Sequence, residues 1–330
     1  MIRSSVRCTA SLVALALLGA ACSSDGSSTS GTSSASGTAS NLAAQVASPD
    51  LFVGAPQDFE LGIFASDDSG VKLVSFGSVT LTFSYLGVDG SAAARGGVPD
   101  GTFSATYVPA PGTGEGQDPG VPSLTAPADA RGVYVNQDVR FAEPGVYEAR
   151  VAADIDGIGA QTLTATFQVR PEPSLPAPGD RALKTKNHVI GDKGIEPVAI
   201  DSQAQDGSSI PDPELHRTTI AQAIAAGTPA LVLFATPVYC QSLFCGPTLE
   251  AMQALAADHA GQAAFIHVEI WRDYDKSIVN EAAADWLLRD GDLTEPWLYL
   301  IGGDGTIFHR WGPLFDPSEV AAALDALPTD

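Results

Sequence analysis

"ALVLFATPVYCQSLFCGPTLEAM", Ala230 to Met252, joins six apolar residues to two of the chain's four cysteines, then to an amphipathic pattern. An unbroken apolar run bounded by turn residues reads as a central strand buried on both faces. Leu249, Met252 and Leu255 recur at helical spacing, and Pro247 suits a first helical turn, so a helix is predicted to begin close to Cys245. Two thiols therefore stand where a strand meets a helix. Unsatisfied N–H groups and the helix dipole stabilise a thiolate there, the attacking species in disulfide exchange. A closed static disulfide would look the same in sequence. A five-residue step turns side chains roughly 140° apart on a regular helix, so Gln241–Phe244 must bulge if Cys240 and Cys245 are to bond.

Outward from this segment the grammar is mixed. Upstream, "PDPELHRTTIAQAIAAGTP" predicts a short helix stopped by Gly227. Downstream come a second apolar strand in "AAFIHVEIW" and a second helix over "KSIVNEAAADWLL". A hairpin turning at Asp304-Gly305 in "PWLYLIGGDGTIFHRWG" and a last helix in "PSEVAAALDAL" complete the chain.

Four features in this order resemble thioredoxin-like proteins: "LVLFA" before the cysteines, Tyr239 beside Cys240, "EPWLYLI" with Pro296, and "GDGTI" before the last strand. The resemblance implies an α/β domain over residues 211–330, a central sheet flanked by helices. It also implies Cys240 as nucleophile, Cys245 as resolving thiol, and Pro296 as a cis-proline facing both. Two departures stand out. Four residues separate the cysteines instead of two, and Phe234 occupies the place where thioredoxins carry a buried acid. If the helix begins only after Cys245, the dipole favours Cys245 and the two roles exchange. Copper-delivering Sco-like proteins also resemble this region, but Thr294-Glu295-Pro296 stands where they place a histidine. His309 and His267 read as packing residues of strands, so no metal and no cofactor is expected.

Residues 42–170 alternate with period two. In "SVTLTFSYLG", Val79, Leu81, Phe83 and Tyr85 alternate with Ser and Thr, and "QTLTATFQV" repeats the pattern. Such strands, broken by Gly, Pro and Asp clusters, predict an all-β sandwich. "FAEPGVYEARV", with Pro144-Gly145 ahead of Tyr147, resembles a corner of immunoglobulin-like domains. No cluster with metal-ligand spacing and no nucleophile–base pair occurs here, which suits a spacer or recognition module. Prolines in "RPEPSLPAPGDR" make residues 171–210 an extended linker.

Residues 1–22 resemble a bacterial lipoprotein signal: Arg3 and Arg7, the apolar "SLVALALLGA", then "GAAC" ending at Cys22. Lipidation of Cys22 would hold the chain at the extracytoplasmic face of the cell membrane, with Ser- and Gly-rich residues 23–41 as a tether. Cys8 would leave with the signal, so Cys240 and Cys245 would be the whole thiol content in an oxidising compartment. Acidic residues number 39 against 17 basic ones, a net charge of −22. Such a surface repels phosphate backbones, so no nucleic-acid partner is expected. The function these features imply is thiol–disulfide exchange with exported proteins. The alternatives left open are a surface binding protein with a structural disulfide, and a Sco-like copper chaperone. Oligomeric state leaves no mark in the sequence.

Overall fold

A computed structural model describes residues 41–67, 70–110, 113, 120–240 and 244–327. The signal, Cys22 and almost all of the tether lie outside the described residues.

The period-two segments form ten strands: β1 (Asn41–Val46), β2 (Gln57–Asp67), β3 (Gly70–Ser75), β4 (Ser78–Tyr85), β5 (Arg95–Gly96), β6 (Phe103–Pro109), β7 (Ser123–Thr125), β8 (Gly132–Val139), β9 (Gly145–Ile155) and β10 (Gly159–Val169). They hydrogen-bond as one sheet in the order β10-β9-β4-β6-β8-β2-β3-β7, with β1 on β2 and β5 on β4. Every pairing is antiparallel. The sheet curls until β1 lies beside β10, so one face of the alternation closes on itself. Leu81 pairs with Val151 and Phe83 with Ala149, all pointing inward and all but fully buried. Phe59, Phe83, Phe141, Tyr147 and Phe167 pack ring on ring, with centroids 5.0 to 6.5 Å apart, giving this core its specific geometry. The Tyr147 hydroxyl donates to the carbonyl of Glu143 at 2.8 Å, tying down the turn that starts β9.

Downstream, the Thr219 side chain and Gln222 form a reciprocal cap for α1 (Ile220–Ala226), which ends at Gly227 with φ +67°. Next come β11 (Ala230–Ala235), α2 (Cys245–Asp258), β12 (Ala264–Glu269), β13 (Trp271–Asp273), β14 (Ile278–Val279) and α3 (Glu281–Leu287). β15 (Leu288–Arg289), β16 (Asp292–Leu293), β17 (Trp297–Ile301), β18 (Ile307–Trp311) and α4 (Pro317–Asp325) follow. A second sheet runs β12-β11-β17-β18. β11 is parallel to β12 and antiparallel to β17. All six β11 residues are fully buried because both faces are covered. Val232 and Phe234 meet Ile220, Ala283 and Trp286 on one side, while Leu231 and Leu233 meet Leu249, Met252, Val320 and Leu324 on the other.

The expected fold class, an α/β thioredoxin-like domain preceded by a β-sandwich, is corrected by this architecture. The described residues are mostly β, 40% strand against 17% helix, and are dominated by the large curled antiparallel sheet. Among the described residues its four α-helices run only 7, 14, 7 and 9 residues. One reason is local. "KSIVNEAAADWLL" has helical periodicity, yet β-branched Ile278 and Val279 pair back on β13, and Leu288–Arg289 turn through Asp290 and Gly291 onto β16. Only Glu281–Leu287 remains helical. The other reason is the curl, which joins strands expected in two stacked sheets into a single hydrogen-bonded path.

The proline-rich segment runs along the edge of the second sheet: Gly179 N–H donates to Ile307, Ile307 N–H to Asp180, and Ala182 N–H to Gly305. The two sheets are pinned by Arg310 on β18. Its guanidinium lies 2.9 Å from the Asp50 carboxylate and also donates to the carbonyls of Leu175, Pro176 and Asp50, between the rings of Phe52 and Trp297. Burial works against the Asp50 carboxylate, but Arg310 and the Ser174 and Leu175 donors together hold its pKa below the usual range.

Candidate functional site

The end of β11 delivers Thr236 and then Cys240, and α2 opens on Cys245 itself, so the strand-to-helix turn carries both thiols. Cys240 and Cys245 are joined by a disulfide with Cα atoms 6.0 Å apart. Cys240 is half-buried and Cys245 is fully buried against Leu249 and Leu233, so an attacking group meets Cys240 first. Cys245, as the first helical residue, has the N-terminal end of α2 at its sulfur's own turn. The helix thus starts at Cys245 itself and not after it. Gln241 to Leu243, the centre of the required bulge, lie outside the described residues.

The Glu295–Pro296 peptide bond is cis, and Pro296 is buried at the start of β17. Tyr239 stacks flat on Tyr274, ring centroids 4.1 Å apart, and its hydroxyl donates to Gln205 at 3.4 Å.

One residue at this site was not singled out from sequence. A carboxylate oxygen of Glu295 and both sulfurs lie within 4.8 Å of one another. Burial, reinforced by the nearby Glu269 charge, pushes the Glu295 carboxyl up to about 8, against the pull of the Thr236 N–H. Its Oε2 has no hydrogen-bond partner among the described residues. At neutral pH it is therefore largely protonated, an acid facing two sulfurs. Phe234, where a buried acid was sought, is instead packed between Trp286 and Tyr299. The acid comes instead from the connection between β16 and β17, and its position directly before Pro296 was the only sequence signal for it.

A second polar cluster lies beneath the same turn. Asp201, His216 and His267 are all about 1% exposed or less. Ser202 N–H donates to Glu269 Oε2 at 2.8 Å, and Val238 N–H donates to Ser202 Oγ at 3.2 Å. These bonds fasten residues 201–202 to the segment that leads into Cys240. His309, on β18, stacks on Trp311 and sits 3.8 Å from Glu319.

No family model matches this chain, and no curated protein matches it.

Proposed function

We propose that the chain is a thiol–disulfide exchange protein, held at the outer face of the cell membrane through a lipidated Cys22 and acting on thiols of exported proteins. The observation that carries this reading is the pairing of a half-buried Cys240 with a buried, helix-initiating Cys245 beside the protonated Glu295. A static bond closing so short a loop constrains the unfolded chain little, so stabilisation alone is a weak reason for it. The likeness of Tyr239, Cys240 and Pro296 to thioredoxin-like sequences points the same way.

A thiolate of the partner attacks Cys240 Sγ; a new S–S bond forms and the Cys240–Cys245 bond breaks. The electron pair leaves on Cys245 Sγ, where the N-terminus of α2 stabilises it and Glu295 donates a proton. A second partner thiolate then attacks the partner sulfur of the mixed disulfide and expels Cys240 as a thiolate. The partner dithiol is oxidised to a disulfide by two electrons, and the chain is left with two thiols. Each step reverses with a reduced chain and an oxidised partner.

Equilibration with glutathione or dithiothreitol buffers, read by alkylation and mass, tests this reading. A potential between about −120 and −270 mV is expected, against values below about −300 mV for structural disulfides. Cys245→Ser should trap mixed disulfides through Cys240. A bond that resists reduction until the chain unfolds would refute the exchange reading. Mass spectrometry of the native amino terminus should find a diacylglyceryl group on Cys22, and an unmodified start would remove the anchor.

A further inference from the structure

Asp201, His216 and His267 come from three separate elements: the cap of a 3-10 turn at Ser202–Ala204, the end of a 3-10 turn at Pro213–His216, and the middle of β12. Asp201 Oδ1 is engaged by the N–H of Gln203, which leaves Oδ2 for the histidines. His216 Nε2 lies 3.3 Å from Asp201 Oδ2, and His267 Nδ1 lies 3.6 Å from the same oxygen. Asp201 Oδ2, both ring nitrogens of His216 and His267 Nδ1 have no aligned hydrogen-bond partner among the described residues. The rings meet edge to face, 5.1 Å between centroids.

His267 shows why something must sit between them. Its Nε2 is 3.1 Å from the carbonyl of Ala235. A carbonyl only accepts, so Nε2 carries a proton, and a ring without a second proton would turn the Nδ1 lone pair toward the Asp201 carboxylate. Burial works against a charged ring, but Asp201 and Glu269 outweigh it and push His267 up, so a positive charge is favoured at this spot. Two acceptors would otherwise face each other in a dry interior, so the pair holds a cation, either a proton or a metal ion. A proton on Nδ1 would draw the pair to about 2.7–2.9 Å in line, as charge-assisted hydrogen bonds do. The observed spacing is wider. Donors bound at ~2.0–2.2 Å to one tetrahedral ion stand about 3.4 Å from each other, and that matches both contacts. A ring nitrogen bonded to a backbone carbonyl while its other nitrogen points into the cluster is also how metal-binding histidines are held.

The geometry points to a buried divalent metal site made by Asp201 Oδ2, His216 Nε2 and His267 Nδ1. Two imidazoles and one carboxylate select a borderline ion such as Zn(II) over Mg(II) or Ca(II), which take oxygen ligands. Three protein donors leave a fourth position for water. The ion clamps residues 201–216 onto β12 and, through Ser202 and Val238, braces the chain just ahead of Cys240. This inference is independent of the exchange chemistry.

The test uses the full chain, stripped with chelator and kept oxidised so that Cys240 and Cys245 cannot bind metal. Titration with Co(II) should load one ion per chain with the visible absorption of a four-coordinate site and no thiolate charge-transfer band, and Zn(II) should displace it. His216→Gln should weaken Co(II) binding by more than the ~10–100-fold typical of losing a supporting partner. X-ray absorption of the Zn-loaded wild-type chain, which needs no variant to fold, should show two imidazoles with oxygen and no sulfur. An oxidised wild-type chain that takes up no ion, a metal shell containing sulfur, or unchanged binding by folded His216→Gln would each overturn the proposal. The first of these outcomes would leave an Asp–His ion pair.

Discussion

The curled sheet and the second sheet solve the problem of a buried interior in opposite ways. Inside the curl are Phe59, Phe83, Phe141, Tyr147 and Phe167 together with small aliphatic residues, and the hydroxyls of Tyr134 and Tyr147 are paid off by the backbone carbonyls of Phe76 and Glu143. Around β11 the interior also holds Asp201, His216, His267, Glu269 and Asn280, nearly all below 2% exposure. Buried ionisable groups cost stability unless partnered, and they cluster where a protein does chemistry. Under the proposed function the reactive groups lie in the second sheet, while the first sheet gives mechanical support and keeps its own buried carboxyls, Asp58 and Glu60, on β2.

The sharpest way to break that division is the double change Cys240→Ser with Cys245→Ser. Thiol exchange should vanish entirely, while stability falls by only about 2 kcal/mol for so short a loop. Phe83→Ala, inside the curl, should do the reverse. It should cost about 3–5 kcal/mol in denaturant unfolding and leave the exchange rate of the folded protein unchanged. Loss of exchange in that variant would show that the regions are not separable. Asp50→Ala tests their junction, since it strands the buried Arg310 charge. A cost of about 3–5 kcal/mol is expected, together with earlier proteolytic cleavage between residues 171 and 210.

A pH scan sharpens the comparison further, because burial raises Asp58, Glu60 and Glu295 each to about 8. Glu319 adds to the rise at Asp58, and Asp58 to that at Glu60. A carboxyl with a raised folded pKa binds its proton more tightly when folded. Its contribution to stability is complete below the ordinary value near 4 and is lost as pH rises toward 8. Melting temperature should therefore fall from pH 5 to pH 8. Glu60→Gln should flatten that slope, and an unchanged slope would remove Glu60 from the account. Asp50 and Asp201, whose pKa values are lowered, act in the opposite sense and only in more acid solution. The smallest effect belongs to the cap of α1: Thr219→Ala should cost about 1 kcal/mol, seen as a small shift in denaturant midpoint.

What the sequence determined by itself was local. Alternation in "SVTLTFSYLG" fixed which side of β4 is buried, the apolar "ALVLFA" marked the strand covered on both faces, and Gly227 set the end of α1, because each depends on neighbours within one turn or one pleat. The position of Cys240 and Cys245 at a strand-to-helix turn was legible for the same reason. Only the tertiary structure decided that the strands of residues 41–169 join into one curled sheet, since hydrogen-bond partners such as β4 and β9 are distant in sequence and several pairings satisfy the same alternation. It alone placed Glu295 beside the two sulfurs, and it alone brought Asp201 and His216 to His267, which the sequence had left as a packing residue of its strand. Those three belong to segments with no shared period, and a cluster of that kind leaves no spacing to read.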